Sequence, residues 1–137
     1  MVLTPTYHVF DMFKVHQDAE RIDLELDGGS YCFDGREIPA VTASASINAD
    51  GVIHISLCNT NHAEKSIVSV DIRGSKGQSF EIAGTVLSGE RIDAHNTFDA
   101  PDTVAPQPFR GFTLEGDQLT AELPPMSVTV LALTPKA

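Results

Sequence analysis

From residue 18 onward, apolar side chains recur at every second position, the period of a half-buried strand. Val41, Ala43, Ala45 and Ile47 alternate with Thr42, Ser44, Ser46 and Asn48. After Ala49-Asp50-Gly51, Ile53, Ile55 and Leu57 alternate with His54, Ser56 and Cys58. Two alternating runs around a three-residue loop containing glycine read as a β-hairpin. Val68, Val70 and Ile72 form the inward face of a further strand, ending at Gly74-Ser75-Lys76-Gly77. Phe80, Ile82 and Val86 carry another, and Leu119, Ala121 and Leu123 follow the Gly116-Asp117 turn. Met126 to Leu133 is apolar apart from Ser127 and Thr129, as a central strand is. Ile22, Leu24 and Leu26 make an early strand that stops at Gly28-Gly29. Seven or eight short strands between turn signals predict an all-β fold, an antiparallel β-sandwich or barrel. A helical period does not recur after residue 18, which argues against βαβ units.

The first seventeen residues differ. Thr4-Pro5 reads as an N-cap followed by a proline at the first helical position. A helix is predicted from there to about Gln17. Its apolar residues, Tyr7, Val9, Phe10, Met12, Phe13 and Val15, spread over several sides instead of one stripe. A helix apolar on several sides needs cover on several sides, more than one sandwich supplies. The segment therefore points to a larger assembly.

The stretch from Glu90 to Pro108 is too long and too rich in proline for a strand. It holds Asp93, His95, Asn96, Asp99 and Asp102 with Pro101, Pro106 and Pro108. Loops of this length are usually functional or pinned against another surface.

Composition narrows the function. The 137 residues suit one domain, with a core large enough to need neither metal nor disulfide. A net charge of −10 excludes the basic footprint that nucleic acid or an anionic lipid surface requires. The apolar runs are far too short for a membrane span. The N-terminus lacks the basic-then-apolar pattern of a signal peptide. Cys32 and Cys58 fit no zinc spacing and read as reduced, partly buried thiols. In an exported parent they could form one disulfide.

Chemistry-bearing residues are scattered. Most of the acidic residues, among them Asp27, Asp34, Asp50, Glu81, Glu115, Asp117 and Glu122, fall at turns or outward strand positions, as on a solvated face. His8, His16, His54, His62 and His95 lack the spacing of a zinc site, and His54 points outward by alternation. Ser44 and Ser46 read as a solvent face, with no nucleophile elbow in the chain. Gly74-Ser75-Lys76-Gly77 imitates part of a phosphate loop but reads as a hairpin turn. A sugar-binding module would want exposed rings; the chain has no Trp, and Tyr7, Phe10 and Phe13 fall in the helix, Tyr31 near a turn and Phe80 inward.

Three segments carry a family resemblance: Met1 to Gln17, Ala94-His95-Asn96-Thr97-Phe98-Asp99-Ala100-Pro101, and Leu123-Pro124-Pro125-Met126-Ser127-Val128-Thr129-Val130-Leu131. They resemble, in order, the end of the catalytic barrel, a C-terminal-domain loop and the last strand of family 51 α-L-arabinofuranosidases. The resemblance implies a C-terminal β-sandwich of jelly-roll type preceded by one short helix. Residues 1–17 would be the terminal strand end and last helix of a missing (β/α)₈ barrel, and residues 18–137 the sandwich. It also implies a parent that releases terminal α-L-arabinofuranosyl groups from arabinan and arabinoxylan with retention, through two glutamates on the barrel. Neither glutamate motif matches any position here. No catalytic residue, cofactor or metal ligand is therefore assigned, and the isolated chain is expected to be inactive. The implied partner is the barrel of the parent enzyme, with subunit contacts and self-association through the N-terminal helix. A cytoplasmic setting is expected. The family's sandwich also often receives a strand from the enzyme's own N-terminus; without it one sheet edge is open. Two rival readings are an independent carbohydrate-binding module and a fragment that shapes substrate access through Leu3, Thr4 or Pro5. A row of exposed rings on one sheet face would favour the module.

Overall fold

The Val41–Ile47 and Ile53–Asn59 runs pair as an antiparallel hairpin, with Ile47 opposite Ile53. Asn48 closes its loop: the backbone N–H donates to the Val52 carbonyl at 3.1 Å. The Asn48 carboxamide oxygen accepts the N–H groups of Asp50 and Val52 at 3.0 Å each. The structure, a computed structural model, describes residues 1–75 and 77–136. Lys76, within the expected Gly74–Gly77 turn, lies outside the described residues.

In chain order the elements are helix α1 (Pro5–Phe13), a 3-10 turn (Lys14–His16), and strands β1 (Glu20–Ile22), β2 (Ser30–Phe33), β3 (Arg36–Pro39), β4 (Val41–Ile47), β5 (Ile53–Asn59), β6 (Ser66–Asp71), β7 (Phe80–Leu87), β8 (Gln107–Phe109), β9 (Phe112–Glu115), β10 (Gln118–Leu123) and β11 (Ser127–Pro135). A six-stranded sheet runs β1-β4-β5-β11-β7-β8, a three-stranded sheet β6-β10-β9, and β2-β3 form a separate ribbon. Every pairing is antiparallel. The fold is the expected all-β sandwich with one short N-terminal helix.

Alternation places the core between the two larger sheets. Leu119, Ala121 and Leu123 of β10 are fully buried against Ile55, Leu57, Leu131 and Leu133, with Val68 and Val70 of β6 beside them. Burying a leucine side chain contributes roughly 1.5–3 kcal/mol. As expected, β11 is central, between β5 and β7. Its near-unbroken apolar run reflects cover on both faces: Leu131 faces the small sheet, while Val130 packs under α1 with Met12 and Leu87. Gly84 of β7 sits where β8 crosses closely. A Cβ there would stand 2.8 Å from the Phe109 carbonyl and 3.0 Å from Leu131 Cδ2, so no side chain fits without a shift.

Several expectations need correction. The α-helix ends at Phe13, not near Gln17, and continues as a single 3-10 turn. Its start is as read: Thr4 is extended, and its hydroxyl accepts the Tyr7 N–H at 3.1 Å. The early strand covers only Glu20–Ile22, because the chain leaves β4 after Ile22 and both Leu24 and Leu26 are exposed. The described residues form eleven strands, not seven or eight. The additional ones are short. β2 and β3 turn at Asp34-Gly35, both with positive φ, as a tight two-residue hairpin requires. β9 pairs with β10 across Gly116-Asp117. β8 lies inside the proline-rich stretch, which an edge position allows: Pro108 pairs at the sheet margin opposite Thr85.

Candidate functional site

The outer face of the large sheet, away from the sandwich core, carries a polar cluster built around a histidine. Strand alternation puts Ser44 and Ser46 of β4 on this face beside His54, Ser56 and Cys58 of β5. The 3-10 turn after α1 lowers His16 between the two strands. His16 Nδ1 lies 2.6 Å from the Ser46 hydroxyl, and Nε2 lies 2.5 Å from the Ser56 hydroxyl. A neutral imidazole has one N–H and one lone pair, so it donates to one serine and accepts from the other. The Phe13 ring meets the imidazole edge-on at 6.0 Å.

Ser46 and Ser56 are buried. This corrects the reading of Ser46 as solvent-facing: alternation identifies a second face but not the turn that covers it. Ser44, one position pair away, is exposed as expected. His54 does point to the outer face, yet it is half-buried, and its Nδ1 is buried without a hydrogen-bond partner. Burial pushes the His16 imidazole below its ordinary range. Burial, and secondarily the charged form of His16, does the same to His54. Burial pushes the Cys58 thiol up, partly offset by a hydrogen bond with Thr42, so the thiol stays protonated.

The Ser56–His16 contact has the reach of a nucleophile and base. Both ring nitrogens, however, are taken by serine hydroxyls, which leaves none for an orienting carboxylate. Both hydroxyls are also buried. The arrangement ties the helix to the sheet. Among the described residues, no three His, Cys, Asp or Glu side chains come together as a metal would need.

The other sequence-singled residues disperse. All nineteen acidic residues are exposed. Cys32 is exposed, not partly buried, and both cysteines are free. Tyr31 hydrogen-bonds His62 Nδ1 at 2.8 Å, and His95 Nδ1–H donates to the Asp93 carbonyl at 3.0 Å. Asn96 pins the long loop. Its Nδ2 donates to the carbonyls of Leu3 and Val104 at 2.8 Å each, and its Oδ1 accepts the Val104 N–H at 2.7 Å. A shallow groove of about 670 Å³ runs beside β1 and β4, lined by His16, Arg21, Asp23, Glu25, Ser44 and Ser46 among others, without a Phe or Tyr. The exposed rings, Tyr7, Phe10, Phe33 and Phe98, sit on the helix, the ribbon and the loop, and make no row on either main sheet.

Helix α1 has two unlike faces. Val9, Met12 and Phe13 pack on the large sheet with Leu87, Val104 and Val130. On the other side Phe10 is 75% and Tyr7 49% exposed. The adjoining loop adds Ile92 at 81% and Phe98 at 86%.

The family model for the α-L-arabinofuranosidase C-terminal domain matches residues 1–127. The chain belongs to this family. An intracellular exo-α-L-arabinofuranosidase of Bacteroides ovatus is 37% identical over 134 residues, covering 97% of the chain but 26% of that relative. The crystal structure of the GH51 arabinofuranosidase from Xanthomonas axonopodis pv. citri superposes with a TM-score of 0.92 at 36% identity, over 98% of this chain and 27% of that one. A family 51 α-L-arabinofuranosidase from Bifidobacterium longum shares the fold, with a TM-score of 0.83 at 17% identity over 96% of this chain and 26% of that one. The chain thus spans about a quarter of the length of these relatives.

In this arabinofuranosidase C-terminal domain, two structural residues had escaped the sequence reading. Ser56 became part of the tie only once His16 was placed. Asn59, buried at the end of β5, donates from Nδ2 to the carbonyls of Glu64 and Pro124 at 3.0 Å each and fixes two turns at once. Its signal was faint: an amide ending an apolar strand.

Proposed function

We propose that the chain is the non-catalytic C-terminal module of a retaining α-L-arabinofuranosidase, docked on the parent's catalytic barrel. The two-faced helix carries this reading. Val9, Met12 and Phe13 are satisfied by the sandwich, while Phe10 and Tyr7 lie bare with Ile92 and Phe98 on the neighbouring loop. Large exposed apolar groups of this kind mark an interaction surface. In this reading residues 1–17 are the terminal strand end and last helix of the barrel, and residues 18–137 the sandwich. The catalytic glutamates belong to the barrel, so the module supplies support and subunit contacts, with no catalytic residue, cofactor or metal of its own. The parent acts on terminal α-L-arabinofuranosyl groups of arabinan or arabinoxylan. The Bacteroides ovatus relative is described as intracellular, which supports a cytoplasmic setting here.

The docking is tested by titrating the chain into an α-L-arabinofuranosidase lacking its own matching C-terminal region. The reading expects a stable complex, weakened at least about tenfold by Phe10→Asp, as for a buried aromatic anchor. An unaltered affinity in Phe10→Asp would remove the helix face from the interface. In isolation the same face drives self-association, which Phe10→Asp should reverse in sedimentation velocity.

A further inference from the structure

We propose that His16 and His54 form an acid-released latch that holds the N-terminal helix on the outer face of the large sheet. The geometry carries it. His16 is the polar anchor of the 3-10 turn, seated between two buried hydroxyls on adjacent strands. His54 stands directly opposite Ser46 in the β4–β5 register, so both imidazoles share one small patch of the same sheet face. His54 Nδ1 is buried with no partner. A proton added there becomes a buried N–H with nothing to receive it.

Asp23 and Glu25 line the groove that His16 borders, but both are exposed, and among the described residues no carboxylate hydrogen-bonds either imidazole. β5 contributes Ser56 and the neutral Cys58 thiol, β11 brings Ala132 opposite His54, and β4 brings Ser44. β1 places Arg21 opposite Ser46, itself paired with Asp23 at 2.8 Å. On the helix side, Lys14 is paired with Asp11 at 2.8 Å. Asp18 and Glu20 lie exposed on the chain that follows. Glu81 is on the same face but beyond β11. Every nearby acid is solvent-exposed, and two of them are engaged by cations. Two imidazolium charges would therefore face each other, with Arg21 beside them, on one half-buried patch. Release of α1 relieves both charges, while the core between the sheets uses none of these residues. The latch stands whether or not the helix docks on a barrel; in a docked enzyme it would loosen the seam between the two parts.

Amide hydrogen exchange tests it on the full chain at about pH 7.5 and about pH 5, corrected for intrinsic rates. The latch expects protection at Val9, Met12 and Phe13 to fall at least about tenfold at the lower pH, with Leu131 and Leu133 changed less than about twofold. The double substitution His16→Gln with His54→Gln should abolish the difference between the two pH values. Unchanged helix protection, a parallel loss at Leu131, or the same loss in the double variant would each overturn the proposal. Should the double variant fold poorly, the wild-type histidine ring-proton titrations decide. Midpoints that coincide with the helix change support the latch, and separate midpoints refute it.

Discussion

The Asn96 carboxamide joins the Leu3 carbonyl, 93 residues earlier in the chain, to the Val104 backbone through three hydrogen bonds of 2.7–2.8 Å. One side chain thus closes the 96–104 stretch of its loop and holds it to the approach to α1. Each such bond contributes about 1 kcal/mol, and a stranded backbone group costs more. Asn96→Ala should lower stability by about 2–3 kcal/mol on that basis, read from urea unfolding. Limited proteolysis should then cut first between residues 90 and 106.

Gly84 should not tolerate alanine. The added methyl would meet the Phe109 carbonyl at 2.8 Å and the Phe109 ring at 3.0 Å, and β8 must move or leave. Overpacking of this kind costs about 1–3 kcal/mol, measurable as a drop in Tm. Alanine at exposed position 67 is the control; Ile67 is 66% exposed, so its truncation should stay within about 0.5 kcal/mol.

Leu119 and Leu131 are fully buried at the meeting of the two main sheets. Truncation of either to alanine leaves a cavity and should cost about 2–5 kcal/mol. The two side chains share one core cluster, so the double variant should depart from additivity. Equilibrium denaturation of both single variants and the pair checks this.

The seam histidines give the chain a pH slope of known sign. Both are held below their ordinary value of 6.5 in the fold and regain it on unfolding. The unfolded state then binds more protons as pH falls beneath 6.5. Their contribution is complete above that value and is lost as pH descends through the folded values. The urea midpoint should be flat from about pH 8 to about pH 7 and decline toward about pH 5. Gln at both positions should remove part of that decline.

Much of the sandwich was readable because its two main sheets bury one face by alternation. The β4–β5 hairpin and β10 are legible with their inward residues, and β11 as a central strand, although its Ser127 and Thr129 are buried too. Thr4-Pro5 marked the helix start because capping is local chemistry. What failed was non-local. Leu24 and Leu26 alternate like a strand, yet no neighbour pairs with them beyond Ile22. Asp34-Gly35 carries a hairpin signal, but its strands lie outside the main core, so their burial pattern is blank. Pro108 hid β8, since proline excludes only central strands. The candidate site was the least legible part. Ser46 and Ser56 look like solvent positions until His16, thirty and forty residues earlier, covers them. Both faces of the sheet are used, and a two-residue period reports one face at a time.

We propose that this arabinofuranosidase C-terminal domain supports catalysis in its parent without performing it. The direct measurement is hydrolysis of a chromogenic aryl α-L-arabinofuranoside by the purified chain, near neutral pH and at high protein concentration. No turnover above a heat-killed control is expected. Turnover that scales with protein and survives repurification would contradict it, and would place a working carboxylate pair among nineteen acidic residues that all lie exposed.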